Sequence, residues 1–396
     1  MHFAAATLLR VSAEGIGTAL VLLVQARTGQ AASSGFLLAA LLLPYVVSGP
    51  VLGNAMDRVR RPRLFATLLA AGYAVAVALL LLTAGDAPLS LAVLAAIAVG
   101  CTEPIVVALS SLLPRIVSPA HLTRAYGLES ASYNLAGIAG PGLVAGTAAW
   151  AGPNLAAALV VGVAILGTLA MPLLPLSASG RPVLPKASRL DVITGGVVVL
   201  LGNPTLRALT AGTSLAFLGM GGIPVVAVML ATHVGAGVTA GGQLLAAFAV
   251  GALCGSLASA RWLSARRAEW VVLAGLIAFG IVLGSAATAT TLAETTACFA
   301  VAGACDGPVL AATLTLRQRE APPGRLGQVN TTGGSLKLGA AAVGAALTAT
   351  LADWAGAVGL LLTMAALQLA GAAIVAFFLR TNPGRAGRTG SPPAPR

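Results

Sequence analysis

Carboxyl groups stand inside long apolar runs of this sequence, and they are the side chains best able to do chemistry there. Glu103 lies in the stretch GCTEP and Asp306 in the stretch GACDGP. Loss of water favours the neutral form of a carboxyl group, so such a residue can take up a proton on one side of a membrane and release it on the other. The alternative is a fixed partner within the fold, such as Arg10 or Lys337.

Further charges accompany these two carboxyl groups. Arg10 and Glu14 lie four residues apart, so on a helix they would share a face and partly neutralise each other. Glu14 is a second candidate for coupling or substrate contact. Lys337 either attracts an anionic substrate or pairs with Asp306. Glu129 and Arg207 are expected to be interface charges at the ends of helices.

These roles depend on a membrane location, which the composition supports. Hydrophobic residues make up 58% of the 396 residues and charged residues only 9%, whereas soluble domains carry roughly 25% charged residues. The arginines fall between apolar runs and not on one basic face, which excludes a nucleic-acid-binding domain despite the net charge of +12. Small-molecule substrate, protons and the lipid bilayer are the expected partners, and the chain is expected to act as a monomer.

Enzymatic chemistry is not indicated. The sequence holds no metalloprotease pattern H-E-x-x-H, no nucleophile elbow G-x-S-x-G and no P-loop. Its four cysteines form no C-x-x-C pair or Cys/His cluster, so neither a metal site nor a disulfide framework is predicted. The chain is therefore predicted not to be an enzyme and to need no metal or other cofactor.

Apolar runs of about 20 residues predict twelve membrane-spanning helices. Charged or turn-forming clusters separate them. The expected spans cover residues 4–26, 32–53, 63–84, 88–112, 127–150, 154–176, 204–231, 240–260, 269–288, 291–315, 329–351 and 355–379. The predicted fold is thus an all-α membrane protein in which a six-helix bundle (1–176), a cytoplasmic linker (177–203) and a second six-helix bundle (204–379) precede a disordered cytoplasmic tail (380–396).

The positions of the basic residues predict the orientation. The connections after spans 2, 4, 6, 8 and 10, together with the C-terminal tail, hold 19 of the 23 lysines and arginines. By the positive-inside rule these connections and both termini are cytoplasmic. The scarcity of lysine resembles the codon bias of a GC-rich bacterium, so the expected location is a bacterial cytoplasmic, or inner, membrane.

The two sets of six spans resemble each other in sequence. Gly49 and Gly53 align with Gly251 and Gly255, and Glu103 aligns with Asp306, all at a nearly constant spacing. Two halves with an even number of spans cross the membrane in the same sense, as parallel repeats of transporters do. Interrupted segments at matching places in two halves indicate a central transport site.

Two motifs resemble those of a known family. Gly53-Asn-Ala-Met-Asp57-Arg58-Val-Arg60-Arg61, between spans 2 and 3, is similar to the signature G-x-x-x-D-R-x-G-R-R/K of the major facilitator superfamily. Arg60 stands where the pattern has glycine, a form that resembles a branch of bacterial exporters. In span 5, Gly137-Ile-Ala-Gly140-Pro141-Gly142 is similar to the G-x-x-x-G-P motif of the superfamily's antiporters, although its usual following Gly-Gly pair is absent.

The resemblance gives roles to these residues. Asp57 could cap the start of span 11, at residues 330–332, and with Gly53, Arg58 and Arg61 form a latch that closes the cytoplasmic side between the halves. The simpler alternative is that these arginines only face anionic lipid. Gly137, Gly140 and Pro141 suit a sliding contact between the halves.

The residues and the resemblance together predict a secondary active transporter. Proton-coupled efflux of a small molecule by alternating access is the expected function, with a drug-exporter-like antiporter as the expected branch. Uptake of a small metabolite, such as a sugar, carboxylate or amino acid, by a permease or facilitator of the same fold is the alternative. Neither the substrate nor the direction of transport follows from the sequence.

Overall fold

The computed structural model describes residues 2–28, 32–175, 189–237 and 240–381, and within them the chain is built of helices. Six helices form the first half of the molecule. They are α1 (His2–Thr28), α2 (Ala32–Arg58), α3 (Pro62–Thr83), α4 (Leu89–Thr102), α5 (Leu122–Ala151) and α6 (Pro153–Ala170).

The second half follows a helix that lies in the predicted linker. This helix is α7 (Arg189–Gly202); residues 176–188, the rest of the linker, lie outside the described residues. The second half consists of α8 (Pro204–Met220), α9 (Ile223–His233), α10 (Ala240–Trp262), α11 (Ala268–Ser285), α12 (Leu292–Glu320) and α13 (Leu326–Thr381).

The described helices are long and apolar enough for the predicted crossings. Nine stretches among them could each span a bilayer, and one of these, Leu326–Phe378, is long enough for two crossings. Gly356, with φ of 64°, divides it near the predicted loop between spans 11 and 12. Helix α5 and the α8–α9 pair correspond to the remaining spans. The protein is therefore an all-α membrane protein of twelve spans in two six-helix bundles, as predicted.

Helix α4 breaks at the first candidate carboxylate. Pro104 has no N–H group to donate, so the regular hydrogen-bonding pattern stops at Thr102, and short helical turns continue the span to Ile116. Glu103 keeps a helical φ of −55° and its N–H donates to Val99 O at 2.8 Å. The span thus continues beyond residue 112, where the sequence predicted its end.

Glycines bring helices together in the same way in both halves. One turn before Glu103, a Cβ on Gly100 would touch the backbone carbonyl of Leu41 on α2. One turn before Asp306, a Cβ on Gly303 would touch the carbonyl of Phe248 on α10. The matching stretches GCTEP and GACDGP therefore share a packing role, which explains their leading glycines.

Contacts between the halves concentrate at one end of the molecule. We call this end, at the junctions α2–α3 and α10–α11 and at the end of α12, the arginine-rich face. There, a Cβ on Gly53 of α2 would collide with Thr331 of α13, and a Cβ on Gly127 of α5 would lie 2.5 Å from Ala260 Cα on α10. These positions hold the halves together at the arginine-rich face.

Helix α7 lies against this face. It meets α8 at an angle of 100°, so it runs across the spans and not along them. Asn203 forms the corner: its side chain accepts hydrogen bonds from the N–H groups of Thr205 and Leu206 and thereby caps α8. Gly195 and Gly196 face α13 at close range, where side chains would meet Gln328 and Thr332. The described part of the predicted linker is therefore packed against the second half.

Candidate transport site

A buried ion pair joins α1 to α5. Arg10, 1% exposed, bonds through its guanidinium to the carboxylate of Glu129, 0% exposed, and to the hydroxyl of Ser132. Arg10 Nη2 also donates to Val106 O at 3.0 Å. The ring of Tyr133 lies 3.7 Å from the guanidinium carbon. A cation held from so many sides has little freedom to serve a substrate.

This pair differs from the predicted arrangement. Arg10 does not neutralise Glu14, its neighbour on the same helix, but an acid on another helix. Glu129, expected at the membrane interface, is enclosed among helices, with His2 Nε2 3.5 Å from its second oxygen. The helical start of α5 at Leu122, five residues earlier than predicted, carries Glu129 two turns into the bundle.

Glu103 forms no ion pair with any cation in the described part of the chain. Its Oε2 is buried and has no hydrogen-bond partner among the described residues. The acid that interacts with it electrostatically is Glu14, whose side chain is exposed although it lies midway along α1. Glu14 shares its face of α1 with Thr18, so this face presents polar groups and not only apolar ones. Glu103, with its buried oxygen, and Glu14, with its exposed side chain, are therefore a carboxyl pair within electrostatic range of each other in the first half.

Tyrosines surround this carboxyl pair, and sequence analysis missed them. Tyr45 of α2 and Tyr73 of α3 both interact electrostatically with Glu103 and Glu14. Tyr73 also donates to Ser12 Oγ at 3.3 Å. The chain has only four tyrosines, all in its first half, and this clustering was the available signal. Aromatic content averaged over the whole chain concealed it.

The second half holds the other carboxylate next to a lysine. Asp306 of α12 and Lys337 of α13 attract each other electrostatically, but neither forms an ion pair or a hydrogen bond with any described residue. Lys337 Nζ instead lies 4.8 Å from the centroid of the Phe217 ring. Asp306 and Lys337 therefore lie near each other, but they do not form the direct ion pair that was one of the two predicted roles of Lys337.

Arg317 is a further buried cation that the sequence placed in a loop. It lies on α12 with 3% of its surface exposed, and it interacts electrostatically with Lys337. Its Nη1 donates to Asn330 O at 3.4 Å, while Nε and Nη2 have no partner among the described residues. Helix α12 ends at Glu320, five residues later than predicted, which keeps Arg317 inside the bundle.

Asp57 connects the two halves at the arginine-rich face. Its carboxylate accepts hydrogen bonds from Gly327 N at 2.8 Å and Gln328 N at 2.9 Å, so it caps the start of α13. These partners precede the expected residues 330–332 because α13 begins at Leu326 and its free N–H groups lie in its first turn. Gly53, one turn before Asp57, leaves the room for this approach.

The linker helix α7 adds an ionic connection to this contact. Asp191 lies 3.6 Å from Arg58 Nη2 and 2.9 Å from Arg325 Nη1. Gln328 Nε2 donates to the carbonyl oxygen of Asp191 at 2.7 Å. Arg58 is thus an interhelical partner, whereas Arg61 is exposed just before α3. We call Asp57, Asp191 and their partners on α13 the latch.

The glycines of the helix-5 motif do not contact the other half. A Cβ on Gly140 would lie 2.8 Å from Glu14 Cβ and from Val11 O on α1, within the same half. A Cβ on Gly137 would meet nothing within 4 Å. The expected sliding contact between the halves is therefore wrong for these two glycines; the halves meet through α5 nearer its start, where Ser130 bonds to Ser256 at 2.9 Å.

Comparison with known proteins gives the family. The model of the Major Facilitator Superfamily matches residues 3–212 and 209–395. The uncharacterized MFS-type transporter y4rN of Sinorhizobium fredii is 29% identical over 366 residues, which cover 88% of each chain.

Solved structures show the same fold. The human organic anion transporter MFSD10 is 16% identical, with a TM-score of 0.76 over 94% of this chain and 99% of its own. A bacterial homologue of the iron transporter ferroportin, in an outward-facing state, is 14% identical with a TM-score of 0.76, covering 97% and 98%. The transporter FucP in the outward conformation is 12% identical with a TM-score of 0.71, covering 95% and 97%. The chain, a multi-pass membrane protein, belongs to the Major Facilitator Superfamily of transporters.

Proposed function

We propose that this transporter is a monomeric, proton-coupled exporter of a small molecule in the cytoplasmic membrane of a bacterium. The observation that carries the proposal is the carboxyl group of Glu103, whose buried Oε2 has no hydrogen-bond partner among the described residues. Arg10, the cation that the sequence offered as its fixed partner, is instead engaged by Glu129. Glu103 is therefore free to exchange a proton.

The surroundings of Glu103 suit a proton carrier. An ionised residue at the centre of a membrane helix costs about 2.5–3.5 kcal/mol on insertion scales. A carboxyl group without a neighbouring cation is therefore more stable there in its neutral, protonated form. Glu14 lies within electrostatic range, and two neighbouring carboxyl groups titrate as a coupled pair. We assign the coupled proton to this pair, with Tyr45 and Tyr73 as its polar neighbours.

The latch supplies the conformational half of the mechanism. By the positive-inside rule the arginine-rich face is cytoplasmic, and Asp57 and Asp191 tie α2, α7 and α13 together there. In this conformation the cytoplasmic side is closed. Release of the latch and closure of the opposite side would give the alternate state, so that the site is exposed to each side in turn.

Proteoliposomes with an imposed pH gradient test the coupling. The purified chain is screened against a panel of anionic, cationic and neutral small molecules, and Glu103→Gln is compared with the matched substitution Glu269→Gln at the arginine-rich face. We expect Glu103→Gln to abolish gradient-driven accumulation while substrate exchange at equal pH continues. Accumulation that survives in Glu103→Gln would remove the coupling role from this residue.

The direction of transport separates export from uptake. Inverted membrane vesicles with an acidified lumen should accumulate the substrate if protons leave in exchange for it. Uptake together with protons, as in a symporter, would instead require accumulation in right-side-out vesicles placed in acidic medium. That result would replace the exporter by the permease of the alternative prediction.

A further inference from the structure

Two cations that form no ion pair with any described residue lie along the contact between α12 and α13. We call this contact the cationic seam and define it by Asp306, Arg317, Asn330, Gly333 and Lys337. Lys337 is 7% exposed and Arg317 is 3% exposed. They interact electrostatically with each other, whereas the acid of the seam, Asp306, pairs directly with neither. Two positive charges thus face one negative charge.

Lys337 offers an ammonium group with unused hydrogen bonds. Among the described residues it has no hydrogen bond and no ion pair, and its Nζ lies 4.8 Å from the centroid of the Phe217 ring. An ammonium group has three N–H donors, and a ring face satisfies none of them as an oxygen does. Phe217 belongs to α8, so the ammonium group is held between α13 and α8.

Arg317 offers a second set of free donors, about one helical turn nearer the arginine-rich face. Its Nη2 and Nε are buried without partners, and so are both polar atoms of the Asn330 side chain. Gly333 makes room for the guanidinium group, because a Cβ there would collide with Nη2. Gly333 and Lys337 are four residues apart and share a face of α13, so both cations lie along one line.

An uncompensated pair of cations is costly in this environment. A buried charge without a partner costs several kcal/mol, and donors left unbonded add to that. Arg10 differs from these two cations. It is equally buried, but its guanidinium group bonds to Glu129 and to hydroxyl and carbonyl groups. The cationic seam thus keeps two buried positive charges that no described acid pairs with directly.

We propose that the cationic seam is the anion-binding subsite of the transported molecule, which is an organic anion with a compact carboxylate, sulfonate or phosphate group. Lys337 binds this group by charge, and Arg317 and Asn330 supply directed hydrogen bonds. The apolar part of the molecule then contacts Phe217. This assignment rests on the transport function proposed above, but not on its proton coupling, which lies with Glu103 in the other half.

Reactivity of Lys337 tests the site without any substrate being known. Lys186 and Lys337 are the only lysines of the chain, so peptide mass spectrometry can follow each separately during reductive methylation with formaldehyde and cyanoborohydride as the hydride donor. The probes are benzenesulfonate, benzyl alcohol and benzyltrimethylammonium, an anion, a neutral molecule and a cation of similar size. Lys186 in the linker serves as the internal reference.

We expect benzenesulfonate alone to protect Lys337. At about ten times its dissociation constant it should slow methylation of Lys337 about tenfold, because only the free protein reacts. Lys186 should react at an unchanged rate. Absence of protection, equal protection by benzyltrimethylammonium, or equal protection by sodium chloride at the same ionic strength would overturn the proposal. Protection by phosphatidylglycerol but not by benzenesulfonate would also overturn it, since the seam would then hold a lipid headgroup.

A pair of arginine substitutions locates the site. Arg317→Gln should weaken the protection by benzenesulfonate about tenfold or more, as expected when a buried charged partner is removed. Arg207→Gln is the matched control, because it also removes an arginine charge but does so outside the cationic seam, on α8, where Arg207 lies 5.0 Å from the Phe378 ring. Equal effects of the two substitutions would contradict the assignment.

The same experiments distinguish this inference from the proposed coupling. If Glu103→Gln leaves gradient-driven transport intact while benzenesulfonate still protects Lys337, proton coupling by Glu103 fails and the anion subsite stands. If coupling depends on Glu103 while no anion protects Lys337, the anion subsite alone is withdrawn.

Discussion

Arg10 and Glu129 form a buried ion pair that joins α1 to α5. The pair settles which charges in the first half are structural, because its members are enclosed and share hydrogen bonds with Ser110 and Ser132. Glu103 and Glu14 have no such partners among the described residues. The first bundle thus holds one tightly bonded pair of opposite charges and one pair of carboxyl groups without an ion-pair partner in the described part of the chain.

Removal of either partner of the fixed pair should destabilise the protein strongly. Arg10→Gln or Glu129→Gln leaves the other charge buried and alone, a change that costs about 3–5 kcal/mol in comparable cases. We expect a large fall in the thermal unfolding temperature of the purified protein in detergent. The double substitution should cost less than the sum of the two single ones, since no lone charge remains. Simple additivity would show that the two residues act independently.

The sequence predicted the fold well because lipid imposes strong rules on it. Apolar length determines where helices cross, and the repeat between GCTEP and GACDGP indicated two similar bundles before any coordinates. The described helices begin and end within a few residues of the predicted spans in most cases. The deviations at the start of α5 and the end of α12, five residues each, occur where charged residues continue the helix into the bundle.

The partners of the charges were less predictable. Spacing along one helix relates Arg10 to Glu14, but it contains nothing about Glu129, which is more than a hundred residues away. For the same reason, spacing along one helix predicts neither the burial of Arg317 nor the proximity of the tyrosines to Glu103. The partner of Asp57 was easier to predict. An acid that caps the start of a helix is a common contact, and predicting it needs only the end of one helix and the beginning of another.

Asp57 should control how long the arginine-rich face stays closed. Asp57→Asn removes a negative charge and replaces one of the two acceptor oxygens with an amide NH2 group, so the hydrogen bond from either Gly327 N or Gln328 N is lost. Hydrogen bonds to charged groups contribute about 1.5–3 kcal/mol, so the open population should rise by about tenfold or more. Distances between spin labels at positions 61 and 266, on a background without native cysteines, measure this population.

A control for this measurement comes from the opposite face. Asp86 lies 3.1 Å from Arg27 at the other end of the first bundle, where both residues are partly exposed. Asp86→Asn also removes one carboxylate charge, but it should leave the distance distribution unchanged. If Asp57→Asn behaves like Asp86→Asn, the latch does not govern closure.

The two glycines of the helix-5 motif should respond in opposite ways to the same substitution. Gly140→Ala forces a methyl group to within 2.8 Å of α1, and overpacking of this kind costs about 1–3 kcal/mol. It also presses on the segment that carries Glu14, so transport should fall along with stability. Gly137→Ala meets open space and should be neutral or slightly stabilising, because alanine favours helix. Equal losses of thermal stability in the two variants would show that the contact with α1 is unimportant.

The ion pairs of Asp191 should matter for the mobility of α7 more than for global stability. Asp191, Arg58 and Arg325 are all partly exposed, so each pair contributes at most about 1 kcal/mol. Asp191→Ala should therefore leave the unfolding temperature nearly unchanged but raise hydrogen exchange of the α7 amides, with those of α6 as the reference. High salt should have a similar effect on the unsubstituted protein, because it screens exposed charges.

A charge exchange separates the two partners of Asp191. Asp191→Arg combined with Arg325→Asp restores an ion pair between these positions but places a positive charge opposite Arg58. The rate of hydrogen exchange of the α7 amides should then lie between that of the unsubstituted protein and that of Asp191→Ala. Adding Arg58→Gln to the charge-reversed pair should lower this rate further. Full recovery without Arg58→Gln would mean that Arg325 alone holds the helix, and that Arg58 of the signature motif has no part in bracing it.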